Sequence, residues 1–427
     1  MRGSSRFGWF LLGGVSTVLS FIAVGFVISI FIGSIRPPSP PEGELMPYPF
    51  GAIDLDELDA EYDSELENSI AKSLAMDKDA GKDDGRTYNL LALSGGGSNG
   101  AFGAGLLCGW TAAGNRPDFK VVTGVSTGAL QATAAFLGPQ YDYILKEIYT
   151  EYGTRDIYRR RFPLLLFAVD GIHHTEPLKK IIAHYITEDL LQAVADKHNA
   201  GRRLFVGTTN LDSQEFVIWN MGLIAGSGRK DALELYRKIL LASASVPVVF
   251  EPIYFQVEKD GEKFYEMHCD GGAYSQVFFR GFLLDFEEAL TEVGIFGEKT
   301  KIELYIINNG KPLVSRERTN VAPRAASIAA VTINNLFNIT ITSSLFRMYV
   351  ITSRYGVGFN LATLDDDSEL YLEPLDFDKA KMRRLFNYSY EAAKAGYEWI
   401  NVPPGLDPGE AYEAVDGDKA NENKKDY

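Results

Sequence analysis

Two stretches of this chain repeat one local plan: an apolar run, a glycine-rich turn, then a helix of small residues. The run Tyr88 to Leu93 (YNLLAL) leads into Ser94-Gly95-Gly96-Gly97-Ser98-Asn99-Gly100 and a predicted helix from Ala101 to Ala113. The run Phe119 to Thr123 (FKVVT) leads into Gly124-Val125-Ser126-Thr127-Gly128 and a predicted helix from Ala129 to Leu137. A strand that turns directly into a helix cannot pair with its successor as a hairpin. Repetition of the unit therefore calls for an α/β layered fold with parallel strands. Further along, Arg203 to Thr209 and Glu215 to Trp219 read as strands around an Asp212-Ser213 turn. Ile253 to Val257 and Phe264 to Cys269 flank Asp260-Gly261, a strong hairpin signal. No repeat of solenoid length is present.

The segment Gly124 to Gly128 has the pattern G-x-S-x-G. On a sharp strand-to-helix turn a serine is pushed outward with its Oγ at the end of the sheet, and a Cβ on either glycine would crowd the turn. The helix that follows aims its positive end at developing negative charge. The glycine run Gly95 to Gly100 suits a second need of acyl transfer, backbone N–H groups turned inward to hold an oxyanion. Gly95, Gly97 and Gly100 also fit the dinucleotide pattern G-x-G-x-x-G. That alternative needs an acid at the end of the next strand. The strand ends Val122-Thr123-Gly124, and Asp118 precedes it, so the oxyanion reading is preferred. A phosphate-binding P-loop is excluded, because no Lys-Ser or Lys-Thr follows. The third element is Asp270-Gly271-Gly272, an acid at a predicted strand end, which by itself would be a plain turn.

In that order, these three elements resemble the patatin-like phospholipase family. The segment Leu241 to Phe250 (LASASVPVVF) resembles a family segment as well, and the resemblance spans roughly residues 88–283. It implies a three-layer patatin-like α/β sandwich with a mostly parallel central sheet. It implies Ser126 as nucleophile and Asp270 as its base, in a dyad without histidine. The N–H groups of Gly95, Gly96 and Gly97, with that of Thr127, would form the oxyanion hole, and Gly100, Gly124, Gly128, Gly271 and Gly272 belong to the motifs. The implied substrates are esters of phospholipids, lysophospholipids or neutral lipids, and neither a cofactor nor a metal is implied. One position departs from the pattern. The family often carries Arg or Lys where this chain has Asn99, which weakens the expectation of a phosphate-bearing head group and leaves a catalytically silent lipid-binding or scaffold protein as the alternative. His268 is the rival base, since residues two apart on a strand face the same way. Cys108 and Cys269 are the two cysteines; their pairing stays open in the sequence.

The first 36 residues read as an N-terminal stub and transmembrane anchor. No charge occurs from Phe7 to Ile35, long enough to cross a bilayer and longer than a signal-peptide core. Arg2 and Arg6 precede the run, so the positive-inside rule puts the N-terminus in the cytoplasm and the body on the outer side; secretion after signal cleavage is the alternative. Residues 37–87 read as an acidic flexible linker containing a short amphipathic stretch, Leu66 to Met76, residues 88–405 as the catalytic domain, and residues 406–427 as a disordered acidic tail. The basic cluster Arg159-Arg160-Arg161 before the apolar run Phe162 to Phe167 reads as an exposed turn entering a core element. Ile328 to Val350 reads as core or as cover over a site. With 42 basic and 57 acidic residues the chain carries −15, the wrong sign for nucleic-acid binding. Most of that charge lies outside the body. Residues 41–86 carry −10, the tail −4, and residues 87–405 only −4.

Overall fold

The computed structural model describes residues 36–53, 69, 72, 73, 76, 87–161, 170–279, 301–311, 321–364 and 369–406. In chain order the described strands are β1 (Ala52–Ile53), β2 (Thr87–Leu93), β3 (Val121–Val125), β4 (Arg159–Arg160), β5 (His173–His174), β6 (Arg203–Asn210), β7 (Glu215–Asn220), β8 (Ile253–Lys259), β9 (Glu262–Asp270), β10 (Lys301–Ile307) and β11 (Gly358–Ala362). The described helices are α1 (Gly100–Ala112), α2 (Thr127–Leu137), α3 (Asp142–Glu151), α4 (Thr154–Ile157), α5 (Glu176–Tyr185), α6 (Glu188–Asn199), α7 (Met221–Gly226), α8 (Ala232–Ser243), α9 (Ala325–Arg354) and α10 (Lys379–Gly396). The two repeated units fold as β2–turn–α1 and β3–turn–α2, as their patterns require.

Nine strands form one sheet in the order β1-β7-β6-β3-β2-β10-β11, with β9 added to β6 and β8 to β9. Strands β6, β3, β2, β10 and β11 run parallel, each beside the next. The β6–β7, β6–β9, β8–β9 and β1–β7 pairs are antiparallel. The sheet is therefore mixed, a correction to the expectation of a mostly parallel one. The reason is local. Asp260 (φ 54°) and Gly261 (φ 80°) both take positive φ, the geometry of a two-residue hairpin turn, and such a turn returns the chain antiparallel. Only strands joined through helices run parallel.

Strand β2 is buried on both faces, which explains why its sequence is apolar apart from Thr87 and Asn89. Leu91 and Leu93 pack under the layer built mainly by α1, α2, α3, α5, α6, α8 and α10. Tyr88, Leu90 and Ala92 pack under Ile341, Leu345, Met348 and Tyr349 of α9. The C-terminal half of α9 is thus core.

Residues 36–53 are not a free spacer, which corrects the expectation of a flexible linker beginning at residue 37. Tyr265 N–H donates to Pro38 O at 2.8 Å, Arg36 pairs with Asp212 at 2.5 Å, and Lys259 pairs with Glu44 at 2.7 Å. Ala52 and Ile53 pair with Trp219 and Ile218. The uncharged stretch Met46 to Ile53 covers the open edge of β7, whose unpaired backbone groups need a partner. Within the predicted amphipathic stretch, Ser69, Lys72, Ser73 and Met76 are helical, and the Ser69 hydroxyl donates to Gly201 O at 2.8 Å. The predicted anchor (7–35), the apolar run 162–167 and all of the tail after Leu406 lie outside the described residues. Among the described residues no helix is long and apolar enough to cross a membrane.

Candidate active site

Ser126 is the single residue between β3 and α2. It sits at φ 55°, ψ −124°, a backbone region that residues with a side chain rarely occupy. Such a conformation costs about 1–3 kcal/mol and persists only where its surroundings enforce it. The two flanking glycines make the turn: a Cβ on Gly124 would meet Gly128 O at 2.5 Å, and one on Gly128 would strike the carbonyls of Leu93 and Ser94 at the end of β2. A clamp holds the turn from the other side. Ser126 N–H donates to Ser243 Oγ at 3.0 Å, and the Ser243 hydroxyl donates to Gly207 O on β6 at 2.7 Å. Ser243 lies in the family-like segment Leu241 to Phe250, but nothing in its sequence pattern distinguished it from its small neighbours.

Asp270 ends β9, opposite Thr208 of β6. Its own N–H donates to Ser245 O at 2.8 Å, and its Oδ1 accepts from Gly272 N–H at 2.7 Å. Gly271 is small because Gly207 O lies against it. Burial pushes the Asp270 carboxyl up to about 7, while the Ser126 hydroxyl and the Gly272 N–H pull it back down. A carboxylate is ordinarily a weak base, and a site that starves it of water strengthens it.

His268 is placed elsewhere. Its ring is buried against Trp219 and Phe255, its Nδ1 is 3.0 Å from Thr208 Oγ1, and its Nε2 is 3.6 Å from Glu266. None of these four residues lines the space around Ser126. Burial lowers the imidazole's pKa and favours the neutral ring.

The glycine loop lies across from Ser126. The Gly95 N–H is already used, donating to Gln276 O at 2.9 Å, so Gly95 leaves the expected set of oxyanion donors. Among the described residues, the N–H groups of Gly96 and Gly97 donate to no protein acceptor, and that of Thr127, the first of α2, has none within its helix. Gly96 (φ 156°) and Gly97 (φ 58°) adopt conformations that L side chains avoid, and a Cβ on either would strike the carbonyl of Asn309 or Pro374. Gly100 stays small beneath the Thr127 hydroxyl and the Tyr149 ring.

Asn99 is buried and fixes this loop. Its amide donates to Leu372 O at 2.7 Å and to Gly96 O at 3.3 Å, and its oxygen accepts from Leu372 N–H at 2.8 Å. Asn309 supports the loop from behind, donating from its amide to Ser94 O at 2.9 Å and from its backbone to Ser94 Oγ at 2.8 Å. Neither contact was legible beforehand, since both join residues more than 200 positions apart.

Two spaces meet at Ser126. One is a cleft of mixed lining, bounded by polar groups of Gly95–Gly97, Asp270, Gln276, Asn309 and Lys311 and by the apolar side chains of Val246, Phe337 and Ile341. The other is an apolar cavity, about 910 Å³ of unfilled space with its mouth included, running from Ser126 and Thr127 between α2, α3, α5 and α8. Leu130, Ile144, Ile148, Ile182 and Leu240 are among its walls. Tyr149 closes one side, its hydroxyl 2.5 Å from Thr127 Oγ1. Ser126, Asp270 and the loop are thus brought to one cleft, while Gly100, Gly124, Gly128 and Gly271 act through packing. Cys108 and Cys269 are free thiols, both buried. Among the described residues no group of three or more His, Cys, Asp or Glu is placed to hold a metal ion.

Comparison with known proteins bears on this arrangement. No curated protein matches the chain by sequence. Among solved structures, VipD from Legionella pneumophila is similar at 11% identity and a TM-score of 0.30, covering 74% of this chain and 68% of that one. Human GIVD cytosolic phospholipase A2 is similar at 10% identity and a TM-score of 0.26, covering 61% of this chain and 48% of that one. Neither likeness is close enough to carry an argument. The family described as patatin-like phospholipase matches residues 91–283, from the middle of β2 to just beyond β9 and the Asp-Gly-Gly turn. Residues 91–283 of this chain are a patatin-like phospholipase domain.

Proposed function

We propose that this protein is a serine acyl hydrolase that cleaves lipid ester bonds with Ser126 as nucleophile and Asp270 as base. The observation that carries the reading is the meeting of a backbone-strained serine and a buried carboxyl of raised pKa at the mouth of an apolar cavity. In the first half-reaction Asp270 takes the proton of Ser126 Oγ as the oxygen attacks the ester carbonyl. The N–H groups of Gly96, Gly97 and Thr127 are the donors for the tetrahedral oxyanion. The intermediate collapses, the C–O bond to the alcohol breaks, and Asp270 returns its proton to the leaving oxygen. Water then attacks the acyl-enzyme, giving its proton to Asp270, and the acid leaves as Ser126 is reprotonated. The apolar cavity is where an acyl chain gains most from leaving water, about 0.8 kcal/mol for each buried CH₂. The mixed cleft takes the alcohol portion. Asn99 in place of a cation gives no support to a preference for phosphate-bearing head groups, so neutral esters stand beside phospholipids as substrates. The uncharged run 7–35 supports a membrane tether for this domain, tested by whether the full chain stays in the pellet after alkaline carbonate extraction.

A fluorophosphonate probe tests the chemistry. The wild-type chain should be labelled and Ser126→Ala should not, and Asp270→Asn should react at least a hundredfold more slowly. Labelling of Asp270→Asn at the wild-type rate, with loss in His268→Ala, would transfer the base role to His268. No labelling of a folded wild type would favour the silent, lipid-binding alternative.

A further inference from the structure

Helix α9 is 30 residues long, about 45 Å at about 1.5 Å per residue. Its C-terminal half is packed on the sheet, but its N-terminal half is not. Ile328 is 53% exposed, Leu336 57% and Ile339 56%. No charged residue occurs from Ala325 to Leu345, nor at Phe346, so this half has none of the polar charged face that a water-facing helix carries. Leu336 and Ile339 flank the cleft itself, because Phe337, Asn338 and Ile341 on the same turns are part of its wall beside Ser126 and Asp270, and Ile328 extends the exposed face toward the helix N-terminus.

A second element of the cleft wall repeats the feature. Val246 lines the cleft, and two residues on, Val248 is 60% exposed at a φ of 70°. A β-branched residue is a rare occupant of that left-handed region. Val248 O accepts from the N–H of Ile172, which is itself exposed. Apolar side chains thus stand out on two elements that border one opening, and their continuity with the cleft distinguishes them from scattered surface hydrophobics.

We infer that the exposed face of α9 at Ile328, Leu336 and Ile339, with Val248 beside the same cleft, is a docking surface for an uncharged or zwitterionic lipid surface, from which the ester passes to Ser126 without crossing water. This rests on the reading of Ser126 as the nucleophile of a lipid ester hydrolase. The class of surface follows from charge: the helix offers no cation from Ala325 to Phe346, and residues 87–405 carry −4, so an anionic bilayer is disfavoured. The inference gives α9 a role beyond the core or cover that its sequence suggested.

The test uses the full chain with an environment-sensitive NBD label on Ile339→Cys, and a control label on Glu391→Cys of α10. Phosphatidylcholine vesicles should raise and blue-shift the Ile339→Cys signal at least twofold and leave the control unchanged. The double variant Leu336→Asp/Ile339→Asp should lose at least tenfold of its activity on an ester carried in those vesicles. It should keep its activity on soluble p-nitrophenyl butyrate, which also certifies its fold. Equal vesicle activity in variant and wild type, or an Ile339→Cys label blind to vesicles, would sink the inference. A label that responds to protein concentration instead would reassign the face to a second copy of the chain. If the wild type hydrolyses neither ester, the hydrolase reading fails, and the label still reports docking by itself.

Discussion

Replacing Asp270 by Asn should stabilise the fold and silence the site together. Asn keeps an oxygen for the Gly272 N–H, which now reaches Asp270 Oδ1 at 2.7 Å, but it has no charge to bury. In the native chain burial raises the Asp270 pKa from 3.8 to about 7. Between those values the folded protein holds a proton that the unfolded chain has lost. Stability attributable to this group is therefore present below the unfolded pKa and is lost as pH rises through the folded pKa. A shift of about three units at about 1.4 kcal/mol each amounts to about 4 kcal/mol. Asp270→Asn should match the wild type near pH 4 and exceed it by a few kcal/mol at pH 8. Urea denaturation of both proteins at pH 4.5, 6, 7 and 8 measures the gap, and other titrating groups cancel in the difference. The activity limb has the opposite sign, because the base works only when ionised. Wild-type kcat/KM should climb about tenfold per pH unit up to about pH 7 and then level. A gap in stability that is constant or narrows with rising pH would refute the assignment of the raised pKa to Asp270. So would an Asp270→Asn enzyme with kcat/KM within tenfold of wild type.

Two further outcomes are expected. Ser243→Ala leaves the Ser126 N–H without its acceptor in a buried place, at about 1–3 kcal/mol for a buried group left unpaired. It should lower kcat while KM changes little, and fluorophosphonate labelling should slow in parallel; an unchanged labelling rate would show that the turn holds its shape without the clamp. Ile182→Trp fills part of the apolar cavity. It should cut kcat/KM for dodecanoyl esters at least tenfold and leave butanoyl esters near wild type, and an equal loss on both would mean that the acyl chain lies elsewhere.

Several elements were legible because their causes are local. The Gly124-x-Ser126-x-Gly128 turn is one: the carbonyls that exclude a Cβ belong to Gly128 itself and to β2, the strand of the preceding repeat. The Asp260-Gly261 hairpin is another, set by two positive φ angles in adjacent residues. The helices after both glycine turns begin within two residues of their expected starts. What was missed depends on chain segments far apart in sequence. The loss of Gly95 as an oxyanion donor is decided by Gln276, and the role of Asn99 by Leu372. The docking of residues 36–53 was hidden by charge counting, because its partners, Asp212, Lys259, Tyr265 and the edge of β7, lie more than 150 positions away.

The sequence alone determined that parallel β–turn–α units present a serine and a glycine loop at one edge, since glycine spacing and apolar runs act over a few residues. It also determined that most of the negative charge lies outside the body. Only the tertiary structure decided which carboxyl meets that serine, how far burial raises its pKa, and which amides stay unpaired. It also decided that an apolar cavity opens beneath Ser126 and that one half of α9 is left uncovered beside it. Those properties depend on which distant groups exclude water from one another, and that is fixed when the layers pack.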